Sequence, residues 1–89
     1  MQNLAIVEMF NEIADWLEIE GGDLFRIRAY QKAARAVQDL AADVAEIAQS
    51  GGVKELRKLE GIGDGTAKKI VEFLDTGTCQ ALEDLDFKF

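Results

Sequence analysis

The sequence contains no proline and no histidine, and its only cysteine is Cys79. A lone cysteine cannot form an internal disulfide, so a reducing, cytosolic setting is expected. Without histidine, and with one thiol, a zinc site is not expected. No apolar run is long enough to cross a membrane, and no basic residue precedes Arg26. Neither a transmembrane helix nor a signal peptide is therefore indicated.

The charge is mainly acidic, and the net charge of −7 argues against a protein that coats nucleic acid. The basic residues are nevertheless gathered in the middle of the chain. Residues 26–69 contain nine bases and six acids, whereas residues 1–25 contain six acids and no base. A local basic surface of this kind can bind a few phosphates.

Apolar residues recur at helical spacing through most of the 89 residues, and no segment alternates as a strand does. Gly21-Gly22 should end the first helix, Asp23 should cap the second, and Gly77 should cap the C-terminus of the helix before it. The predicted helices are 3–19, 24–40, a short third over 41–48 ended by Ser50-Gly51-Gly52, 53–59, 65–75, and a last one after Thr78.

We therefore predict an all-α fold, a compact bundle of five or six short helices that forms a single domain over residues 1–89. The side chains expected in its core are those on the apolar stripes. They are Phe10, Ile13, Trp16, Tyr30, Val37, Ile70 and Leu74.

Three glycines at alternate positions, Gly61, Gly63 and Gly65, separate the last two long helical segments. Glycine permits positive φ and close approach of the backbone to another molecule. The helix that follows begins with free N–H groups, which attract phosphate, and carries Lys68 and Lys69 in its first turns. This pattern indicates a helix-hairpin-helix element that holds a DNA backbone without reading bases. The alternative is a connection that merely requires glycines, since a glycine-rich loop alone is a weak signal.

The helix predicted over 24–40 has a basic face. Arg28, Lys32 and Arg35 share one side by their spacing, and Arg26 lies near the helix start. No acid occurs between Asp23 and Asp39, whereas an exposed face built for solubility usually mixes both signs. A phosphate-binding face is therefore weighed against an ordinary solvated one.

Two segments together, FRIRAYQKAARAV and GGVKELRKLEGIGDGTAKKIVEFLDTGT, resemble the small amino-terminal lyase domain of family X DNA polymerases. The resemblance covers about residues 6–85. It implies a helical bundle like the polymerase beta amino-terminal domain, which grips the 5′-phosphate side of gapped or nicked DNA in repair. In eukaryotic members a lysine also forms a Schiff base with the sugar and removes a 5′-deoxyribose phosphate by β-elimination.

The resemblance also implies roles for individual residues. Lys69 stands at the nucleophilic lysine, Tyr30 at the pocket tyrosine, and Arg26 and Arg57 at basic positions of the 5′-phosphate pocket. Phe25 is aromatic where polymerase beta has a stacking histidine. The hairpin glycines and Lys68 would bind phosphate, and the backbone carbonyls of Arg57, Leu59 and Ile62 match those that hold a sodium or potassium ion.

Two departures from the family pattern weaken the expected activity. Gly65 and Ala81 stand where polymerase beta has lysines, so weaker phosphate binding and weak or absent lyase activity are implied. Schiff-base formation also requires a neutral amine. Lys68 and the positive helix start disfavour a second charge at Lys69, whereas Glu72 is placed to pair with it. Lys69 is therefore either a nucleophile or an ordinary exposed lysine.

The chain lacks the carboxylate set that nucleotide transfer needs to hold two magnesium ions. It is therefore expected to act as one domain of a longer polymerase or as a free-standing relative. We expect a monomer that binds gapped or nicked DNA in the cytoplasm, in a bacterial-type nucleoid repair setting, with no membrane contact and no cofactor beyond the monovalent ion. Two alternatives remain: a plain DNA-binding hairpin module, and a protein-interaction bundle that uses acidic helix 3–19.

Overall fold

The computed structural model of the protein describes residues 2–77, and this part of the chain contains helices and no strand. The helices are α1 (Asn3–Ile19), α2 (Leu24–Gln38), α3 (Val44–Leu56) and α4 (Asp64–Thr76). Helices α1 and α2 pack extensively against each other, α3 packs against α4, and α4 also touches α2. None of the four is long and apolar enough to cross a membrane. The all-α prediction is confirmed.

The turn between α1 and α2 follows the predicted chemistry. Gly21 has φ of +72°, and the N–H of Gly22 donates to the carbonyl of Leu17 at 2.7 Å, which closes the C-terminus of α1. Asp23 then caps α2, because its carboxylate accepts the N–H of Phe25 at 2.9 Å. The two helices are thereby held as an antiparallel pair.

The described residues form four helices, against the five predicted over this part of the chain. Gly52 has φ of 61° and ψ of −146°, which is not helical, so the break predicted at Ser50-Gly51-Gly52 is present as a kink between two helical segments that together form α3. Val44 and Leu56, on either side of the kink, are both fully buried. The predicted helix after Thr78, like Cys79 and Ala81, lies outside the described residues.

Several predicted helix boundaries also differ from the structure. The segment predicted over 53–59 ends at Leu56, and α4 is one residue longer at each end than the predicted 65–75. Helix α2 ends at Gln38 and not at residue 40. Helix α3 begins at Val44 because Asp43 caps it, its carboxylate accepting the N–H of Ala45 at 3.1 Å. Ala41, which was placed inside the third helix, is exposed in the preceding turn.

The core contains five of the seven side chains expected there, while Trp16 and Leu74 are half-buried. Trp16 lies near the end of α1, where the bundle narrows and Ile19 is exposed. Leu74 lies in the last turns of α4 and packs against the edge of the core. The buried five are Phe10, Ile13, Tyr30, Val37 and Ile70.

A buried asparagine joins the starts of α1 and α3, and no local sequence pattern predicted this contact. The side-chain amide of Asn3 donates to the carbonyl of Ala42 at 2.8 Å, and its oxygen accepts the N–H of Val44 at 2.8 Å. Burying the N–H or the oxygen of this side chain without a hydrogen bond would lower the stability of the fold. Asn3 therefore fixes α3 relative to the α1–α2 pair.

Gly61 brings the hairpin between α3 and α4 against α2. Its φ is +92°, and a Cβ added there would lie 3.1 Å from the Cβ of Ala36 and 3.3 Å from the carbonyl of Lys32. Glycine is therefore favoured at this position, because a side chain would be strained at this φ and would crowd α2.

We expect Gly61→Ala to lower the free energy of unfolding by about 1–2 kcal/mol, because it adds a Cβ at positive φ and at a close contact. Gly65→Ala is the matched control, since Gly65 is helical and has open space around it. That variant should be neutral or stabilised by up to about 1 kcal/mol. Urea unfolding measures both, and equal effects would contradict the close contact.

Candidate nucleic-acid interface

The hairpin leaves the start of α4 open. The N–H of Ile62 donates to the carbonyl of Leu59 at 3.1 Å, and the buried Ile62 side chain anchors the turn. The hydroxyl of Thr66 accepts the N–H of Gly63 at 2.9 Å and donates to the carbonyl of Gly63. Gly63 occupies the N-cap position without a side chain, so the first-turn N–H groups of α4 have no side-chain cap. They form a donor set suited to an anion.

A cleft of about 420 Å³ lies between this hairpin and α2. Among residues 2–77, its charged side chains are Arg26 and Lys32, and no carboxylate from this part of the chain lines it. Its residues come from two elements: Arg26, Ala29, Tyr30 and Lys32 from α2, and Gly61, Ile62, Gly63, Gly65 and Thr66 from the hairpin and α4. The cleft thus combines two cations, the open helix start and an apolar floor.

Lys69 does not line this cleft but contacts Tyr30, which does. Its ammonium lies over the Tyr30 ring, 5.7 Å from the ring centroid, and the side chain is half-buried. Tyr30 is itself 6% exposed and lines the cleft. The structure therefore brings together Arg26, Tyr30, Lys69 and the three hairpin glycines, which are far apart in sequence.

Arg57 and Lys68, the other two predicted cations, do not line the cleft. Both pair with Asp64, the first residue of α4: its Oδ1 lies 3.8 Å from Arg57 Nη1 and its Oδ2 lies 3.0 Å from Lys68 Nζ. All three side chains are more than half exposed, so the pairs add little stability. They do place a carboxylate beside the open helix start.

Sequence reasoning overlooked Asp64. An acid in the first turn of a helix is favoured by the helix dipole, and its spacing of four residues from Lys68 is that of a helical ion pair. These two signals were present in the sequence. The carboxylate competes with an incoming phosphate both for Arg57 and Lys68 and for the space at the helix start.

The carbonyl groups predicted to hold a sodium or potassium ion lie in this turn. The Leu59 carbonyl already accepts the Ile62 N–H, which leaves it a second lone pair. Arg57 is the C-cap of α3, so its carbonyl lies beyond the regular helical ladder. The donor chemistry of the three oxygens fits a monovalent ion, and their role as ligands stays a prediction.

Residues 1–79 match the model of the helix-hairpin-helix domain family. The chain belongs to that family. It is also 31% identical over 85 residues to the DNA polymerase/3′-5′ exonuclease PolX of Bacillus subtilis (strain 168), which covers 96% of this chain. The resemblance to the amino-terminal domain of family X polymerases is thereby confirmed, and DNA binding is the function that it indicates.

The match to PolX covers only a small part of that protein, so its activities do not transfer to this chain. The chain spans 14% of the length of that relative. The polymerase and exonuclease activities in its name belong to a protein about seven times as long. What this chain shares with it is the helix-hairpin-helix domain.

We expect Asp64→Asn to strengthen DNA binding. The change removes a negative charge from the phosphate site and frees Arg57 and Lys68. At about 4 Å in water one charge contact is worth about 1 kcal/mol, which corresponds to roughly fivefold in affinity at low salt. Fluorescence anisotropy with labelled DNA measures the change.

Asp75→Asn is the control for this change, since it alters the net charge equally at the exposed far end of α4. It should change affinity much less. If both variants gain equally, the gain reflects net charge alone and Asp64 has no local role.

Proposed function

We propose that this domain binds the 5′-phosphate end of a strand at a gap or nick in DNA during repair. The observation that carries the proposal is the cleft between α2 and the hairpin. It places Arg26 opposite the open start of α4, with no carboxylate among the lining residues. Both features favour a phosphate, one by its charge and the other by oriented N–H donors.

The shape of the cleft supports a strand end over a continuous backbone. Helix α2 forms a wall beside the hairpin because Gly61 lies against Ala36 and Lys32. The apolar floor contributed by Ala29 and Ile62 suits a sugar or base face next to the phosphate. A terminal phosphate presents three free oxygens to such a concave site. It also has a nucleotide on one side only, so it enters a concave site more easily than a phosphate within a continuous strand.

The charge of the protein supports a small contact. With a net charge of −7, the chain repels DNA on the whole, and its basic residues are concentrated within residues 26–69. About three phosphate contacts would give a slope of log K against log salt near −2 to −3. Binding by the domain alone should therefore be weak and strongly salt-dependent.

The first test compares gapped DNA with a 5′-phosphate and the same DNA with a 5′-hydroxyl. The wild-type domain should bind the phosphorylated DNA about tenfold more tightly. This preference corresponds to about 1.4 kcal/mol, which one hydrogen bond to a charged group is enough to supply. Arg26→Gln should erase most of this preference. Arg28→Gln, on the same helix but not in the cleft, should keep it. No preference in the wild type would refute the proposal.

Gly63→Val tests the helix start separately from the arginine. A Cβ at Gly63 meets no protein atom within 4 Å, and its φ of −97° suits any residue. The variant should therefore stay folded by circular dichroism while the added side chain keeps phosphate from the N–H groups. Unchanged affinity for phosphorylated gapped DNA would remove the hairpin from the site.

A Schiff-base lyase is a second candidate, favoured by the contact of Lys69 with Tyr30 at the edge of the cleft. Borohydride trapping on a 5′-deoxyribose phosphate end tests it directly. If the domain is a lyase, the wild type and Lys68→Ala form a trapped complex and Lys69→Ala does not. If wild type gives no adduct while it still prefers the 5′-phosphate, the domain binds without catalysis.

The relation to PolX supports a polymerase setting for this domain, in which it positions DNA for catalytic domains of a longer chain. The protein-interaction alternative would place the partner on the acidic face of α1. Gel shifts with gapped, nicked and intact duplex separate the readings. Only the proposed function predicts a clear order, with the gapped or nicked substrates bound best.

A further inference from the structure

We propose that Lys32 and Arg35 form a basic ridge that carries the DNA backbone beyond the phosphate held in the cleft. This inference rests on the proposed function and extends it, because it assigns a direction to the strand. The cleft holds a terminal phosphate. The ridge contacts the phosphates that come next, across the exposed side of α2.

The groove that adjoins the ridge has the composition expected of a backbone contact. It lies between α1 and α2, has a volume of about 480 Å³, and contains no carboxylate among its lining residues. It is lined by Asn11, Gln31, Lys32, Ala34, Arg35 and Gln38. Cations and side-chain amides are the groups that proteins use to hold phosphate and sugar oxygens without reading sequence.

A second groove beside the ridge is less favourable for DNA. It is lined by Asp39 and Glu60 together with Lys32, Arg35 and Gly61. The two carboxylates repel a polyanion there. Lys32 lines the cleft and both grooves, so a strand leaving the cleft passes Lys32 and is directed toward the groove without acids.

Lys32 and Arg35 are three residues apart on α2 and so are neighbours on one side of the helix. Arg26 lies nine residues before Arg35, which at about 3.6 residues per turn places it on the opposite side of α2. A strand held at both therefore passes around the helix by way of Lys32. On the α1 side of the groove, Gln31 donates to Glu18 at 3.3 Å, so one carboxylate lies beside this path.

The cations on this path are available to DNA. Within residues 2–77, the ion pairs involve Arg57, Lys58 and Lys68, and none involves Lys32 or Arg35. Both side chains are exposed. Phosphate binding at the ridge therefore breaks no ion pair, in contrast to binding at Arg57 or Lys68.

Arg35→Gln tests the ridge, because Arg35 lies outside the cleft. Anisotropy with 5′-phosphorylated gapped DNA should show a threefold to tenfold loss of affinity at low salt and a salt slope reduced by about 1. Arg35→Lys should restore the slope. A 5′-phosphorylated dinucleotide, followed by NMR titration, reaches only the cleft, and its affinity should be unchanged by Arg35→Gln.

Arg28→Gln is the matched control, since it removes the same charge from the same helix and lines none of the three cavities. It should weaken gapped-DNA binding less than Arg35→Gln does. If both variants lose the same affinity for gapped DNA, or Arg35→Gln loses none, the ridge is overturned. The proposed function still stands in that case if the wild type prefers the 5′-phosphate. Absence of that preference in the wild type would refute both. A poly-glutamate peptide tests whether the ridge binds an acidic protein instead. If the peptide displaces gapped DNA, and Arg35→Gln weakens binding of the peptide as much as binding of DNA, the ridge is a site for an acidic protein and the proposal for DNA is overturned.

Discussion

Gly61 approaches α2 so closely that the arrangement of the whole site depends on it. An added Cβ would lie 3.1 Å from Ala36, and the positive φ of Gly61 directs the chain back toward α4. This contact seats the hairpin on α2 and buries Ile62 beneath it. The cations of α2 and the open start of α4 then face one another across the same cleft. Neither half would form a phosphate site by itself, since a helix start and a basic helix are both common.

Electrostatics within the site divide its cations into two groups. Arg57 and Lys68 are paired with Asp64, whereas Arg26 and Lys32 line the cleft without an acid among their neighbours there. A phosphate that enters the cleft meets the second group directly and competes with Asp64 for the first. The affinity of the domain is therefore set by the balance between one carboxylate and four cations. The net charge of the chain is a poorer guide to it.

Periodicity and capping chemistry predicted the local structure well. The bounds of α1 were given by its apolar stripe and by Gly21, and the start of α2 by the cap at Asp23. The interruption at Ser50-Gly51-Gly52 was also predicted, and Gly52 is not helical. That the two segments stay together within α3 depends on tertiary packing, since Val44 and Leu56 on either side of Gly52 are both fully buried. The hydrogen bonds of the Asn3 side chain to Ala42 and Val44 are likewise long-range contacts that no local pattern reveals.

The candidate site was predictable in part. The spacing of the glycines indicated the hairpin, and the resemblance to family X polymerases selected Arg26 and Tyr30, which line one cleft, and Lys69, which contacts Tyr30. The separate position of Arg57 was not predictable, because its partner is decided by the path of the turn before α4. Helix periodicity grouped Arg28 with Lys32 and Arg35, but only the packing of α1 on α2 distinguishes Arg28 from the other two.

Weak binding by this domain is consistent with the proposed role. A domain with about three phosphate contacts releases few counterions, so its affinity at physiological salt is low. When such a domain is joined to others that bind the same DNA, its binding becomes intramolecular and proceeds at a high effective concentration. A stronger contact would then slow release of the strand end after repair. The acidic surface away from α2 and the hairpin serves the same end, because it keeps the remaining faces off the duplex and leaves the cleft as the favourable contact.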